Sequence, residues 1–188
     1  MSNRAVFIDR DGTLNVEVEY LNKIDQLKLI DGTVEALKLL QNKDFKRVVI
    51  TNQSGIARGY LTERELYEIH AALNEMLRLQ SVSVDAIYFC PHHPKKGIAP
   101  YLQHCDCRKP KTGMLQQAAS DLGIDLSASF VIGDKPADVL AGQNAGCKSV
   151  LVLTGYGQQS LQKLDETGAT PDFIAKNLLD AVRWILGS

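Results

Sequence analysis

Asp9 and Asp11 stand one residue apart in Val6-Phe7-Ile8-Asp9-Arg10-Asp11-Gly12-Thr13-Leu14, directly after a short apolar run. An apolar run of that length, bounded by turn residues, reads as a buried strand. Acidic groups at the end of a buried strand are costly unless they bind a cation or take part in a reaction. Strand residues i and i+2 face the same side, so Asp9 and Asp11 are expected to share one site if the extended geometry persists that far. A plain surface turn is the competing explanation, because Asp-Gly is a common turn pair. Two more apolar runs end in polar groups: Val48-Val49-Ile50 in Thr51-Asn52-Gln53-Ser54-Gly55, and Phe130-Val131-Ile132 in Gly133-Asp134-Lys135-Pro136-Ala137-Asp138. A basic loop, Arg108-Lys109-Pro110-Lys111, lies upstream of the last of these. Carboxylates, a hydroxyl, backbone N–H groups and a lysine together suit phosphoryl transfer assisted by a hard cation. Mg2+ binds through one or two carboxylates plus phosphate oxygens and water. The hydroxyl, amides and lysine would stabilise charge on the equatorial oxygens, and a carboxylate can itself attack phosphorus to form an aspartyl-phosphate.

A second constellation lies between the last two strand ends. Cys90-Pro91-His92-His93-Pro94 is followed by His104-Cys105-Asp106-Cys107. Structural zinc takes four such ligands tetrahedrally, a Cys3His set among them. Spacing alone does not choose among His92, His93 and His104, and free thiols beside solvated histidines are the alternative. The stretch from Cys90 to Lys111 holds Pro91, Pro94, Pro100 and Pro110 and has no periodicity. So long a structureless loop is uncommon in a compact domain unless something else holds it. The remaining cysteine, Cys147, is expected to pack in the sheet.

The elements that must position these groups alternate along the chain. Strands are predicted near residues 6–8, 47–50, 85–89, 130–132 and 150–153, with a short sixth near 172–174. Helices are predicted to begin near Thr33, at Thr62 with the capping box Thr62-Glu63-Arg64-Glu65, at Gly113 with Gly123 as its stop, at Pro136 and at Leu178. Strand–helix alternation implies a parallel sheet with helices on both faces, a Rossmann-like three-layer α/β/α fold. The 188 residues fit one domain, residues 1–188, with the loop at about 90–108 inside it. A net charge of -1 gives no attraction to nucleic acid or to an anionic membrane, no stripe of basic and aromatic residues suits single strands, and no run reaches the roughly 20 apolar residues of a membrane span. The first strand begins almost at the N-terminus, so a cytoplasmic protein with unpaired cysteines is expected, and a monomer, since no long apolar seam is visible.

Asp9-x-Asp11-Gly12-Thr13, then Thr51, Lys109, and Gly133-Asp134 with Asp138, resemble in order and strand context the four motifs of the haloacid dehalogenase superfamily. The resemblance implies a phosphatase. Asp9 would be the nucleophile and Asp11 the acid and base, with Thr51 and Lys109 on the phosphoryl oxygens. Mg2+ would lie among the Asp9 carboxylate, the Asp11 backbone carbonyl and Asp134. Asp138 is expected to orient a neighbour rather than bind metal. Related phosphatases carry a Cys-x-His…Cys-x-Cys loop, which implies Zn2+ on Cys90, His92, Cys105 and Cys107. The wider segments 9–15, 51–59 and 105–110 look most like the branch that removes a terminal phosphate from a heptose bisphosphate, with histidinol-phosphate phosphatases next. Lys111-Thr112 departs somewhat from that pattern. No large cap domain is expected. Recognition of a sugar phosphate falls to Glu17, Val18, Glu19 and Tyr20 for hydroxyls, to Asn52, Gln53 and Ser54 beside the phosphate, and to Arg108, a planar fork for a second phosphate or another anion. Lys135 is expected on the substrate or the aspartate cluster. A reading of another class, a zinc-stapled binding protein without activity, does not need Asp9, Asp11, Lys109 and Asp134 together.

Overall fold

The computed structural model describes residues 3–187. Among them six parallel strands form one sheet: β1 (Ala5–Ile8), β2 (Lys46–Asn52), β3 (Ala86–Cys90), β4 (Phe130–Gly133), β5 (Lys148–Val152) and β6 (Phe173–Ala175), in the order β3-β2-β1-β4-β5-β6. All neighbours pair in parallel. The chain winds outward one way from β1 and then the other way from β4. Between those two strands the order reverses, and in open α/β sheets ligands bind at such a switch point, outside the carboxyl ends of the strands.

Alternation along β1 sets the two layers. Val6 and Ile8 point into a core shared with α1 (Thr33–Gln41), α3 (Glu63–Leu79) and α8 (Leu178–Gly187). Ala5 and Phe7 point the other way, onto α4 (Gly113–Leu122) and α5 (Pro136–Ala145). The local signals behave as their chemistry requires. Thr62 accepts from the Glu65 backbone N–H while Glu65 accepts from the Thr62 N–H, closing the capping box of α3. Gly123 closes α4 in the left-handed conformation, φ 62°. Pro136 occupies the first turn of α5.

Two boundaries differ from expectation in a way that matters. β2 runs on through Thr51 and Asn52, because these pair with Phe89 and Cys90 of β3. Thr51, Asn52 and Cys90 are therefore fixed by the sheet and not by a loop. Four-residue α2 (Ser54–Ala57), five-residue α6 (Gly157–Leu161) and four-residue α7 (Leu164–Thr167) were not foreseen, being too short to show a period. Cys147 is buried just before β5. No helix of the described residues is long and apolar enough to cross a membrane.

Candidate active site

The β1 strand stops at Ile8, and its last hydrogen bond to β4 is Asp9 N–H to the Ile132 carbonyl at 2.9 Å. The chain then turns. Gly12 has φ +84°, and a methyl there would overlap the Asp134 carboxylate. Gly155 faces it with φ +54°. Glycine at both positions lets the loop after β1 and the loop after β5 close over Asp134. Because extended geometry ends at Ile8, the i, i+2 argument for Asp9 and Asp11 does not hold as stated. Both side chains still line one cavity of about 350 Å³ at the switch point, but they have different partners.

Asp9 belongs to a buried charge cluster. Lys109 Nζ lies 2.8 Å from Asp9 Oδ1 and 2.5 Å from Asp138 Oδ1, and donates to the Ile50 carbonyl at 2.8 Å. Lys109 is only 4% exposed, so it is no solvated loop charge. Burial opposes its charge, yet Asp138 and Asp9 hold its pKa above the ordinary value. Asp138 also accepts from the Lys135 backbone N–H, so both of its oxygens are engaged and it positions the lysine, as expected. Asn52 clamps the Lys109 backbone from both sides, donating to its carbonyl and accepting from its N–H at 3.1 Å each.

Asp134 lies beneath the floor, with no exposure. It does not cap α5; its Oδ2 accepts from the Tyr156 N–H at 2.8 Å. Its Oδ1 is buried with no hydrogen-bond partner, and Lys135 Nζ stands 3.8 Å away. Burial, then the Asp9 charge, pushes the Asp134 carboxyl up to about 8. Asp134 brings a carboxylate oxygen within 4.8 Å of one from Asp9, and a divalent cation there would satisfy a buried carboxylate that leaves one oxygen without a hydrogen bond. The donor set fits Mg2+: both Asp138 oxygens are engaged by Lys109 and the Lys135 N–H, while Asp9 meets Lys109 through Oδ1 alone, so Asp9 and Asp134 are the side chains left to hold it.

Asp11 is gripped separately. Arg10 donates to both of its oxygens, Nη2 to Oδ2 at 2.8 Å and Nε to Oδ1 at 3.1 Å. Asn15 donates to Oδ1 at 3.0 Å and Gln53 to Oδ2 at 2.9 Å. Burial raises the Asp11 carboxyl, but the Arg10 charge and these hydrogen bonds outweigh it and hold it below the usual range. Gln53 also donates to Thr51 Oγ1 at 2.8 Å.

The expected contact residues mostly surround the same cavity: Glu17, Glu19, Tyr20, Thr51, Asn52, Gln53, Ser54, Arg108 and Lys135 all line it. Val18 does not. It packs against the core and opens onto an adjoining cleft, so its assignment to sugar hydroxyls is corrected. The Asn52 amide is taken up by Lys109, and the Gln53 amide by Asp11 and Thr51. Lys135 forms an ion pair with Glu17 at 3.1 Å and lies over the Tyr156 ring. Arg108 donates to the His92 carbonyl at 3.2 Å and leaves the rest of its fork at the cavity wall.

Cys90, His92, Cys105 and Cys107 converge. Sγ of Cys90 and Cys105 are 3.5 Å apart, Cys105 and Cys107 3.3 Å, and Cys107 is 3.4 Å from His92 Nδ1. Ligands about 2.3 Å from a tetrahedral centre lie about 3.8 Å apart, so four free ligand groups are gathered to nearly zinc dimensions. His93 stands outside this group, its Nδ1 accepting from the Lys95 and Lys96 N–H groups.

Sequence reasoning missed Arg10, Asn15, His70 and Tyr156. Arg10 sits inside the first motif, where its lack of exposure has no sequence signal. Asn15 follows in the same loop, where nothing in its type announces the bond to Asp11; Tyr156 comes from the loop after β5, and His70 touches Arg10 from α3 without lining the cavity, placements that only the fold supplies.

A family profile described as "HAD-hyrolase-like" matches residues 106–181. The D-glycero-beta-D-manno-heptose-1,7-bisphosphate 7-phosphatase of Haemophilus ducreyi is 44% identical over 187 residues, covering 98% of this chain and 100% of that one. The protein of the same name from Pasteurella multocida is 49% identical over 81% of this chain and 83% of its own. A crystal structure of D,D-heptose 1,7-bisphosphate phosphatase from B. bronchiseptica, complexed with magnesium and phosphate, superposes with a TM-score of 0.85 at 32% identity, covering 98% of both chains. The chain belongs to the D-glycero-beta-D-manno-heptose-1,7-bisphosphate 7-phosphatase family of haloacid dehalogenase-like hydrolases.

Proposed function

We propose that this protein hydrolyses the 7-phosphate of D-glycero-D-manno-heptose 1,7-bisphosphate, leaving the 1-phosphate, in the synthesis of activated heptose for lipopolysaccharide core or surface glycans. The Asp9 carboxylate attacks phosphorus. Lys109 and Thr51, with backbone N–H groups after β2, hold the equatorial oxygens. Asp11 protonates the departing alkoxide and then takes a proton from the water that hydrolyses the phospho-aspartate on Asp9. The negative phosphate arriving beside it favours the protonated carboxyl that the first step needs. Asp9, Asp134 and the Asp11 backbone carbonyl would hold Mg2+, which when bound would supply positive charge beside the transferring group.

Zn2+ on Cys90, His92, Cys105 and Cys107 serves structure, since four protein ligands leave no open position. It anchors the loop at about 90–108 beside Arg108 and Lys109, within one domain formed by residues 1–188. Arg108 reads the remote phosphate, while Glu17, Glu19 and Tyr20 face the sugar. Unpaired thiols suit a cytoplasmic enzyme, and we take it to act as a monomer.

The observation that carries this reading is Asp134 Oδ1, buried without a hydrogen-bond partner beside the Asp9–Lys109–Asp138 cluster. A non-catalytic binding protein has no use for it. Phosphate release from heptose 1,7-bisphosphate, histidinol phosphate and a generic phosphate ester, with and without Mg2+, tests the proposal. Mg2+-dependent turnover greatest on the heptose bisphosphate is expected. Preference for histidinol phosphate would overturn the substrate, and no turnover on any ester would overturn the enzyme.

A further inference from the structure

We propose that His70 is a positioning residue of the reaction, acting from α3 through Arg10 on the Asp11 carboxyl. The inference rests on Asp11 being the acid and base of the proposed function.

Val6 and Ile8 face the α1–α3 side of the sheet, and beyond the end of β1 the Arg10 side chain reaches the same side, where it meets His70 of α3. Its side chain is fully buried. A guanidinium stays charged and carries five N–H donors in a fixed plane, so its partners set its orientation. One edge grips Asp11 through Nε and Nη2. Nη1 donates to His70 Nε2 at 3.0 Å. For Nε2 to accept, the ring must be neutral with its proton on Nδ1. Burial, then the Arg10 charge, favours that state by holding the ring at about 3.

His70 is 6% exposed and packs edge-on against Phe89, ring centres 6.1 Å apart. Phe89 of β3 pairs in register with Thr51 of β2, so the ring rests on the strand next to the one that carries the phosphate-side hydroxyl. His70 does not line the reaction cavity. It lies at a separate cleft between α3 and β3, with Tyr67, Asn74 and Asp85. Its polar contact toward the site is the one with Arg10.

A fork-to-carboxylate contact fixes the plane of the carboxyl. A general acid must present its proton within hydrogen-bond reach of the leaving oxygen. Losing the Nη1 anchor leaves Arg10 bound to Asp11 but free to tilt, and the carboxyl tilts with it.

The test compares His70→Leu, which has no acceptor, with His70→Gln, whose amide oxygen can replace Nε2. Each is assayed by kcat/KM on heptose bisphosphate and on 4-nitrophenyl phosphate. This parameter reports steps up to phosphorylation of Asp9, and the aryl leaving group departs with little need of a proton. His70→Leu is expected to lose about 10–100-fold on the alkyl ester and no more than about 3-fold on the aryl ester. His70→Gln is expected to stay within about 3-fold on both. Equal losses on the two esters, or no rescue by a folded His70→Gln, would overturn the proposal. Should His70→Leu not fold, His70→Asn, whose amide stops short of Arg10, takes its place in the same comparison. Asp11→Asn is the control. If it too shows no leaving-group dependence, the reading of Asp11 fails; if only the His70 variants show none, the positioning role alone fails.

Discussion

Replacing Lys109 by Met tests the buried charge cluster. Lys109 Nζ pairs with Asp9 and Asp138, and the three side chains are 2%, 7% and 2% exposed. Solvent therefore screens little of the interaction. Removing one partner of a buried ion pair costs about 3–5 kcal/mol, because an unpaired charge stays behind. In a chain of this size about 2–4 °C of melting temperature goes with each kcal/mol, so a fall of about 6–20 °C is expected. Asp138→Asn should cost less, about 1–2 kcal/mol, since Lys109 keeps Asp9 and one mutually repelling carboxylate is gone. In the double variant the lysine's loss no longer strands Asp138. The coupling between the two substitutions should then be at least about 1 kcal/mol in the recovering direction. Urea and thermal unfolding in Mg2+-free buffer give the four stabilities, and phosphate release gives turnover. Stability should return in part in the double variant while turnover stays lost, because the lysine also serves the phosphoryl group. Additivity within about 0.5 kcal/mol would refute the argument, as would turnover in any Lys109→Met protein.

Chelation of freshly purified protein should release zinc, lower the melting temperature and reduce turnover about 10-fold or more by loosening Lys109, and added Mg2+ should not restore it; metal analysis finding no zinc would contradict the site. Arg108→Ala should lower kcat/KM about 10–100-fold on the bisphosphate and little on a monophosphate, equal losses arguing against reading of the remote phosphate. His70 is held at about 3 against an ordinary 6.5, so the unfolded chain binds more protons between those values and stability falls as pH drops through them. The stability difference between wild type and His70→Gln should therefore drift against wild type by about 1.4 kcal/mol per pH unit from about 6.5 downward; parallel acid-unfolding curves would show that the histidine is not buried neutral.

The strands and the polar residues at their ends were legible because short apolar runs stop at chemically loaded residues. Asp9, Thr51, Lys109 and Asp134 do meet at one edge, and His92 rather than His93 joins the thiols. What was not legible depends on distance between elements. That Asn52 and Asp138 bury Lys109 and hold it in place could not be read from its basic loop. Val18 looked like its neighbours Glu17 and Glu19 until core packing turned it inward. The i, i+2 argument placed Asp9 and Asp11 in one pocket for a reason that fails, since the strand ends at Ile8 and Arg10, Asn15 and Gln53 orient Asp11 instead. No spacing rule connects Arg10 to a histidine 60 residues away.

The central claim is that Asp9 carries the phosphoryl group. The direct measurement is mass analysis of the Asp9 peptide from Asp11→Asn protein, mixed with Mg2+ and 4-nitrophenyl phosphate and quenched in acid. The aryl ester can phosphorylate Asp9 without a general acid, and loss of the Asp11 base slows hydrolysis. One added phosphoryl group on Asp9, absent from Asp9→Asn/Asp11→Asn, is predicted. An unmodified Asp9 peptide while 4-nitrophenol is still released in a burst, or the label on another residue, would contradict the account.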